Sequence, residues 1–334
     1  MRVTVGTFNL NNLFSRFNFK GVAAPAAGPD ISATVTVDVG GIGVAAPPPG
    51  FIEPDPGVRE FRTYGGRLVE GKPEKDTKRI AERLLEMDLD VVALQEVEDL
   101  PTLHRFVIDF LQSRYPYRSL VEGRDPRLID VAVLSKLPLG GVTSWQFAPH
   151  PDEPDGRPVF SRDCLEVEIL SPSRSKRLVT LYVNHLKSKL VTARSAAEKQ
   201  KLTEQANQTR RRQAETVVDI VGRRQRPTGR AIVLGDMNDA PGSAPIEAFA
   251  STYVDALTSP TERGGSPSFG SSPPPSTAWS YRHTESGRVD YILFDHIWLT
   301  KGLASRQTGA GVLRRTLRTR DGSDHDPTWV ELDL

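Results

Sequence analysis

The 334-residue sequence predicts an α/β fold in which two packed β-sheets carry helices on their outer faces. Three observations carry that prediction. Short apolar runs of strand length recur in pairs, amphipathic helical stretches separate only some of them, and 38% hydrophobic with 25% charged residues suits a globular chain with a substantial core. One large unit over residues 1–334 accommodates this length, with an Ala/Pro/Gly-rich insertion near residues 21–57.

The first strand, near residues 2–9, ends at Asn9. The insertion contains Pro47-Pro48-Pro49-Gly50, and inside it Ile31, Ala33, Val35, Val37 and Val39 alternate with Ser32, Thr34, Thr36 and Asp38, the period of a hairpin strand. Ile80, Ala81, Leu84 and Leu85 share one face of a helix near 74–87. Leu89-Asp90-Val91-Val92-Ala93-Leu94 then reads as a buried strand. A helix near 101–114 and strands near 129–135, 163–170 and 177–184 follow. A long basic helix with at least one break spans 194–224, and Ala231-Ile232-Val233-Leu234 is another buried strand. Residues 258–278 read as loop, and strands at 289–294, 296–299 and 327–334 finish the order, with no internal repeat.

Net charge is +1 at pH 7, so the whole molecule is no polycation. The single Cys164 excludes an internal disulfide and a cysteine zinc cage, and it suits a reducing compartment. Met1-Arg2 leads straight into strand residues, and no run approaches the ~18–20 apolar residues of a membrane span. A cytoplasmic monomer is the default expectation, with secretion the alternative if a leader has been removed.

The polar residues sit at strand ends. Apolar runs deliver Gln95 and Glu96, then Asn184 and His185, then Asp236 and Asn238; Asp290 and Ser323-Asp324-His325 open two later strands. Strand starts and strand ends share one rim of an antiparallel sheet, so these groups can meet. Unpaired carboxylates beside apolar strands are costly, and a bound cation removes that penalty. Carboxylate and amide oxygens with few nitrogens suit Mg²⁺ or Mn²⁺, and phosphate-ester hydrolysis uses the same parts.

Thr7-Phe8-Asn9, Gln95-Glu96, Asn184-His185, Gly235-Asp236-Met237-Asn238, Arg288-Val289-Asp290-Tyr291 and Ser323-Asp324-His325 stand in the order of the endonuclease/exonuclease/phosphatase family. The sequence resembles that family from residue 3 to residue 332, in style closest to its bacterial extracellular-type DNases. The resemblance implies a DNase I-like four-layer α/β sandwich of mostly antiparallel sheets. It implies Glu96 as principal metal ligand, with Asn9 beside it and Asp324 a third. By the same resemblance Asp236 would activate or align the water, Asn238 would hold phosphate or water, and His325 would contact the scissile phosphate with Asp290 as its orienting carboxylate. It also places His185 to protonate the leaving oxygen. Either Asp236 or the His325–Asp290 pair is the base. Phe160-Ser161-Arg162 resembles a family segment whose Arg approaches phosphate, although Cys164 replaces its proline; Asn184 joins Arg162 as a phosphate contact.

Residues 185–230 hold twelve Lys or Arg against four acids, a net of +8, and residues 306–320 hold five Arg and no acid. Basic loops beside the rim suit a nucleic-acid backbone. The first reading is therefore a Mg²⁺- or Mn²⁺-dependent nuclease acting on DNA. A phosphatase or phosphodiesterase on a small or lipid phosphate is the second, and a non-catalytic binding protein the third.

Overall fold

A computed structural model describes residues 1–14, 18–22, 60–62, 67–69, 71–153, 156–225, 229–258, 261–263, 278–285, 288–315 and 322–334. It falls into two compact units, Met1–Leu13 with Pro73–Leu334, and Phe14–Lys72. The strands are β1 (Arg2–Leu13), β2 (Asn18–Val22), β3 (Glu60–Arg62), β4 (Arg67–Val69), β5 (Val91–Val97), β6 (Tyr117–Leu120), β7 (Asp130–Ser135), β8 (Leu139–Ser144), β9 (Cys164–Leu170), β10 (Arg177–His185), β11 (Ala231–Asp236), β12 (Val254–Asp255), β13 (Thr261–Arg263), β14 (Tyr281–Glu285), β15 (Arg288–Ile292), β16 (Asp295–Leu299), β17 (Gln307–Leu313) and β18 (Thr328–Asp333). The helices are α1 (Glu74–Met87), α2 (Leu100–Asp109), α3 (Ala196–Arg224), α4 (Glu247–Thr252) and α5 (Lys301–Ala304).

In the larger unit one sheet runs β13-β17-β18-β1-β5-β7-β6 and a second runs β12-β16-β11-β10-β9-β8. Most neighbours are antiparallel, but β1 pairs β5, β10 pairs β11 and β13 pairs β17 in parallel. Strand alternation builds the layers. Val3, Val5, Val91, Ala93, Leu181, Val183, Ile232 and Leu234 face inward and form the core between the sheets. Phe8, Val92 and Leu94 face outward against α1 and α2, while Tyr182 and Val233 face α3 and α4. The predicted four-layer α/β sandwich is the observed architecture.

Helix α1 presents Ile80, Ala81 and Leu84 to its sheet, as its spacing predicts, with Glu74 and Asp76 favourable in the first turn. The long basic segment is one continuous helix rather than a broken one. Ser195 caps it by accepting the Glu198 N–H, and the buried stripe from Ala206 to Val221 carries it past Gly222. The apolar content of β6, β8, β12 and β14 is too sparse for a pattern argument, and β17 and β13 run through the stretches 306–320 and 258–278 expected to be loop, where glycine, threonine and arginine mask the strand period. The alternating segment at 31–39 and most of the loop at 258–278 lie outside the described residues; the smaller unit contains the three-stranded sheet β3-β2-β4. Among the described residues no helix is long and apolar enough to cross a membrane.

A buried ion cluster ties α1 to the last strand. Asp326, fully buried, accepts from Arg83 Nη2 at 2.8 Å and Arg315 Nε at 3.0 Å, with Arg314 Nη1 at 3.5 Å. Removing one partner from such a set leaves charge stranded without water. Asp326→Ala is expected to destabilise the protein by about 3–5 kcal/mol, read from denaturant midpoints, whereas a shift within about 0.5 kcal/mol would show the cluster to be dispensable.

Candidate active site

The same alternation that builds the core delivers the polar residues. Following Val3, Val5 and Thr7 on the inward face of β1 comes Asn9; following Leu181 and Val183 on β10 comes His185; following Ile232 and Leu234 on β11 comes Asp236. Asp295 is on the inward face of β16 with Ile297 and Leu299. All four lie between the sheets at one rim.

Glu96 reaches that rim by a different device. On a regular β5 it would follow Val92 and Leu94 outward, toward the helices. The register of β5 against β7 shifts between Gln95 and Val97, and Glu96 takes φ +62. This bulge turns the carboxylate inward, where Glu96 Oε1 lies 3.4 Å from Asn9 Nδ2 and 3.9 Å from His185 Nε2.

Asp236 is the centre. Its Oδ2 accepts from Asn9 Nδ2 at 2.9 Å and faces His185 Nε2 at 3.4 Å and His325 Nε2 at 3.9 Å, while Oδ1 accepts the Asn238 N–H at 2.8 Å. Asn238, at φ +52, donates its amide to the Leu186 carbonyl at 3.1 Å. Burial pushes the Asp236 carboxyl up to about 7, with Asp295 adding to the rise against the opposing pull of His325, the Asn9 amide and the Asn238 N–H.

Strand pairing requires one glycine. His185 pairs in register with Asp236, and Asn184 with Gly235. Gly235 has φ +132, and a Cβ there would come within 2.0 Å of the Asn184 carbonyl oxygen.

The carboxylate that orients His325 is Asp295, not Asp290. His325 Nδ1 meets Asp295 Oδ2 at 2.6 Å. Asp290 instead lies on β15, across from His283 in a separate two-stranded sheet with β14. In sequence each aspartate stands before a short apolar run, so the Arg288-Val289-Asp290-Tyr291 motif points five residues too early; in the structure Asp295 opens β16 while Asp290 lies in the middle of β15. Burial alone would lower the His325 pKa, but the charge and hydrogen bond of Asp295, with Asp236 and Asp324, raise it to about 10. Its backbone is fixed as well: Ser323 Oγ donates to the Asn9 carbonyl at 2.6 Å and accepts the His325 N–H at 3.0 Å. His185 goes the other way. Burial, then the charges of Arg162, His325 and Arg127, push its pKa well below the usual value, so it is neutral at pH 7.

Asn184 and Arg162 do not reach the cluster. Asn184 is on the outward face of β10 with Tyr182, where its amide donates to the Tyr182 carbonyl at 2.9 Å. Arg162 is buried; its Nε donates to Asp125 at 3.0 Å and its Nη1 to the Leu186 carbonyl at 2.7 Å, so it braces the backbone after His185. The exposed guanidinium of that network is Arg127, which the sequence reading missed.

A metal would rest on oxygens here. Among the described residues no three His, Cys, Asp or Glu side chains surround a common metal position. Asp324 adds its charge to His325 but makes no described contact with Glu96 or Asn9. The Glu96 side chain is only 18% exposed, and its nearest imidazole, that of neutral His185, is 3.9 Å away. Such a carboxylate suits a hard cation that keeps most of its waters, as Mg²⁺ does. Asn9 presents its amide nitrogen to Glu96 and Asp236 and its oxygen to the Asn11 N–H, so it steadies the carboxylate that would hold the cation.

Two outcomes check this geometry. Asp295→Asn removes the anion beside His325 and is expected to lower the imidazole pKa from about 10 toward the ordinary range in an NMR titration, whereas Asp290→Asn leaves it in place. Gly235→Ala forces β10 and β11 apart and is expected to cost roughly 3 kcal/mol or more in thermal or chemical unfolding.

The chain matches the Endonuclease/Exonuclease/phosphatase family over residues 7–325. A family protein from Bacteroides thetaiotaomicron aligns with 100% of this chain and 99% of its own at 14% identity and TM-score 0.57. The human Nocturnin catalytic domain with bound sulfate aligns over 78% of this chain and 86% of its own at 16% identity, TM-score 0.53. Beta toxin from Staphylococcus aureus aligns over 77% and 91% at 16% identity, TM-score 0.52. No curated protein matches in sequence. At these identities the solved structures speak for the fold. The family match over most of the chain shows more: this protein belongs to the endonuclease/exonuclease/phosphatase family, whose members are hydrolases acting on phosphate esters.

Proposed function

We propose that the protein is a Mg²⁺- or Mn²⁺-dependent phosphodiesterase whose substrate is nucleic acid, DNA first. The single observation that carries a hydrolytic reading is Asp236, buried yet ringed by Asn9, His185 and His325. A carboxyl with a pKa of about 7 is balanced between holding and releasing a proton at neutral pH, which is what a general base requires. Asp236 takes the proton of the attacking water. His325, protonated at neutral pH and held by Asp295, faces the phosphate as a cation and donates to the departing oxygen. His185 is neutral and positions Asp236; its low pKa makes it a poor proton donor, so that role moves to His325. Glu96, steadied by Asn9, would hold the cation, which would supply positive charge to the phosphoryl oxygens. The products are a phosphomonoester and an alcohol.

The nucleic-acid part rests on different ground. Five of the twelve cations in the basic sector stand in ion pairs: Arg210 and Lys189 with Asp239, Arg212 with Glu153, Arg223 with Asp219 and Arg224 with Glu166. Arg314 and Arg315 are buried against Asp326. That neutralisation favours a second reading, a phosphatase for a small phosphorylated molecule. The exposed Arg124 and Arg127 beside the site favour the first.

The test is hydrolysis of plasmid, single-stranded DNA, RNA and a phosphomonoester panel by chelator-treated protein, with and without added Mg²⁺ or Mn²⁺. DNA cleavage restored by metal is expected; turnover confined to small monoesters would refute the nuclease reading. Asp236→Ala and His325→Ala are each expected to lower turnover at least ~100-fold, and near-normal rates in either would remove that residue from the mechanism.

A further inference from the structure

Two rim loops, residues 121–129 between β6 and β7 and residues 145–163 between β8 and β9, carry an arrangement that the reaction centre does not use. Asp125-Pro126-Arg127-Leu128 is a β-turn. The Leu128 N–H donates to the Asp125 carbonyl at 2.9 Å, proline takes the second position, and Asp125 Oδ1 accepts the Arg127 N–H at 3.0 Å. Leu128 closes it at φ +59, a conformation unfavourable for leucine. Asp125 then accepts Arg127 Nε at 3.1 Å and Nη2 at 3.0 Å, and Arg162 Nε at 3.0 Å. One carboxylate thus links exposed Arg127 to buried Arg162, and through Arg162 to the carbonyls of His185 and Leu186. Arg127 is 53% exposed, and the rest of its guanidinium fork is left for an anion. The Asp125 hydrogen bond and, more weakly, the Glu96 charge raise the Arg127 pKa, and Arg127 adds a small share to the burial that lowers His185 and Lys187.

The neighbouring loop is stitched to this one. Gln146 Nε2 donates to the Glu122 carbonyl at 3.2 Å, and the Arg124 N–H donates to the Ser161 carbonyl at 2.8 Å. Next to Gln146 stands Phe147, 68% exposed, with the Arg124 guanidinium 5.6 Å from its ring centroid. An exposed aromatic ring beside a guanidinium, on a loop joined to the one that carries exposed Arg127, matches the chemistry that receives an unpaired nucleobase.

We propose that this rim is a subsite for an unpaired nucleotide, in which Arg127 grips a backbone phosphate and Phe147 with Arg124 stacks the base. The proposal rests on the nuclease reading and narrows it. A base inside a duplex is stacked on its neighbours, so the substrate it selects is single-stranded or frayed.

Binding separates the two ideas. Fluorescence anisotropy of the full chain, in chelator at fixed salt, compares a thymidine oligonucleotide with an abasic one of the same length and backbone. The unaltered chain is expected to bind the thymidine strand about ten-fold more tightly. Phe147→Ala erases that preference, Phe147→Trp keeps it, and Arg127→Gln weakens both strands by about five-fold. Equal affinity for the two strands, or an unchanged preference in Phe147→Ala, overturns the base platform. Unchanged binding in Arg127→Gln overturns the phosphate contact. Oligonucleotides bound in the expected pattern but left uncut with Mg²⁺ and Mn²⁺ sink the nuclease reading alone.

Discussion

Charge buried between two sheets is the constraint on which this molecule turns. Asp295, His325 and Asp236 form a chain of alternating charge in a place with almost no water: Asp295 is fully buried, and Asp236 and His325 are 1% and 6% exposed. None of the three is stable there alone, since an isolated buried ion costs several kcal/mol by general estimates. Together they raise the histidine pKa and leave one aspartate poised near neutrality. A balance of that kind tolerates little displacement, so the surrounding structure has to fix every member.

The fold does so with backbone devices. The parallel register of β10 with β11 sets His185 beside Asp236, and Gly235 allows the strands to approach that closely. A bulge re-aims Glu96 from the helical face to the rim. Ser323 joins the last turn to Asn9 of β1, and Asp326 with its three arginines anchors that turn to α1 and to the two residues that follow β17. These features stabilise positions more than they stabilise the molecule. A buried ion cluster is weak support for overall stability but strong support for a unique arrangement, provided every charge is matched.

The distribution of arginine follows the same logic. Sequence counting finds a basic sector, yet folding pairs many of its cations with acids far away in the chain, among them Glu153, Glu166 and Asp239. The short turn Asp125-Pro126-Arg127, which no charge count distinguishes, adds an exposed guanidinium at the rim. Local structure, not composition, decides which guanidiniums face a substrate.

What the sequence determined by itself was the layering and the neighbourhood. Apolar runs ending in Asn9, His185 and Asp236 were legible because strand alternation is a local property, and a residue that continues the inward row of a buried strand must reach the rim. The tertiary structure alone decided which aspartate serves His325, on which face Asn184 falls, and that Arg162 braces the backbone while Arg127 meets solvent. Each of those depends on pairing between strands distant in sequence, or on one residue of bulge. A shift of one position moves a side chain to the opposite face of its sheet, and no local pattern reports it.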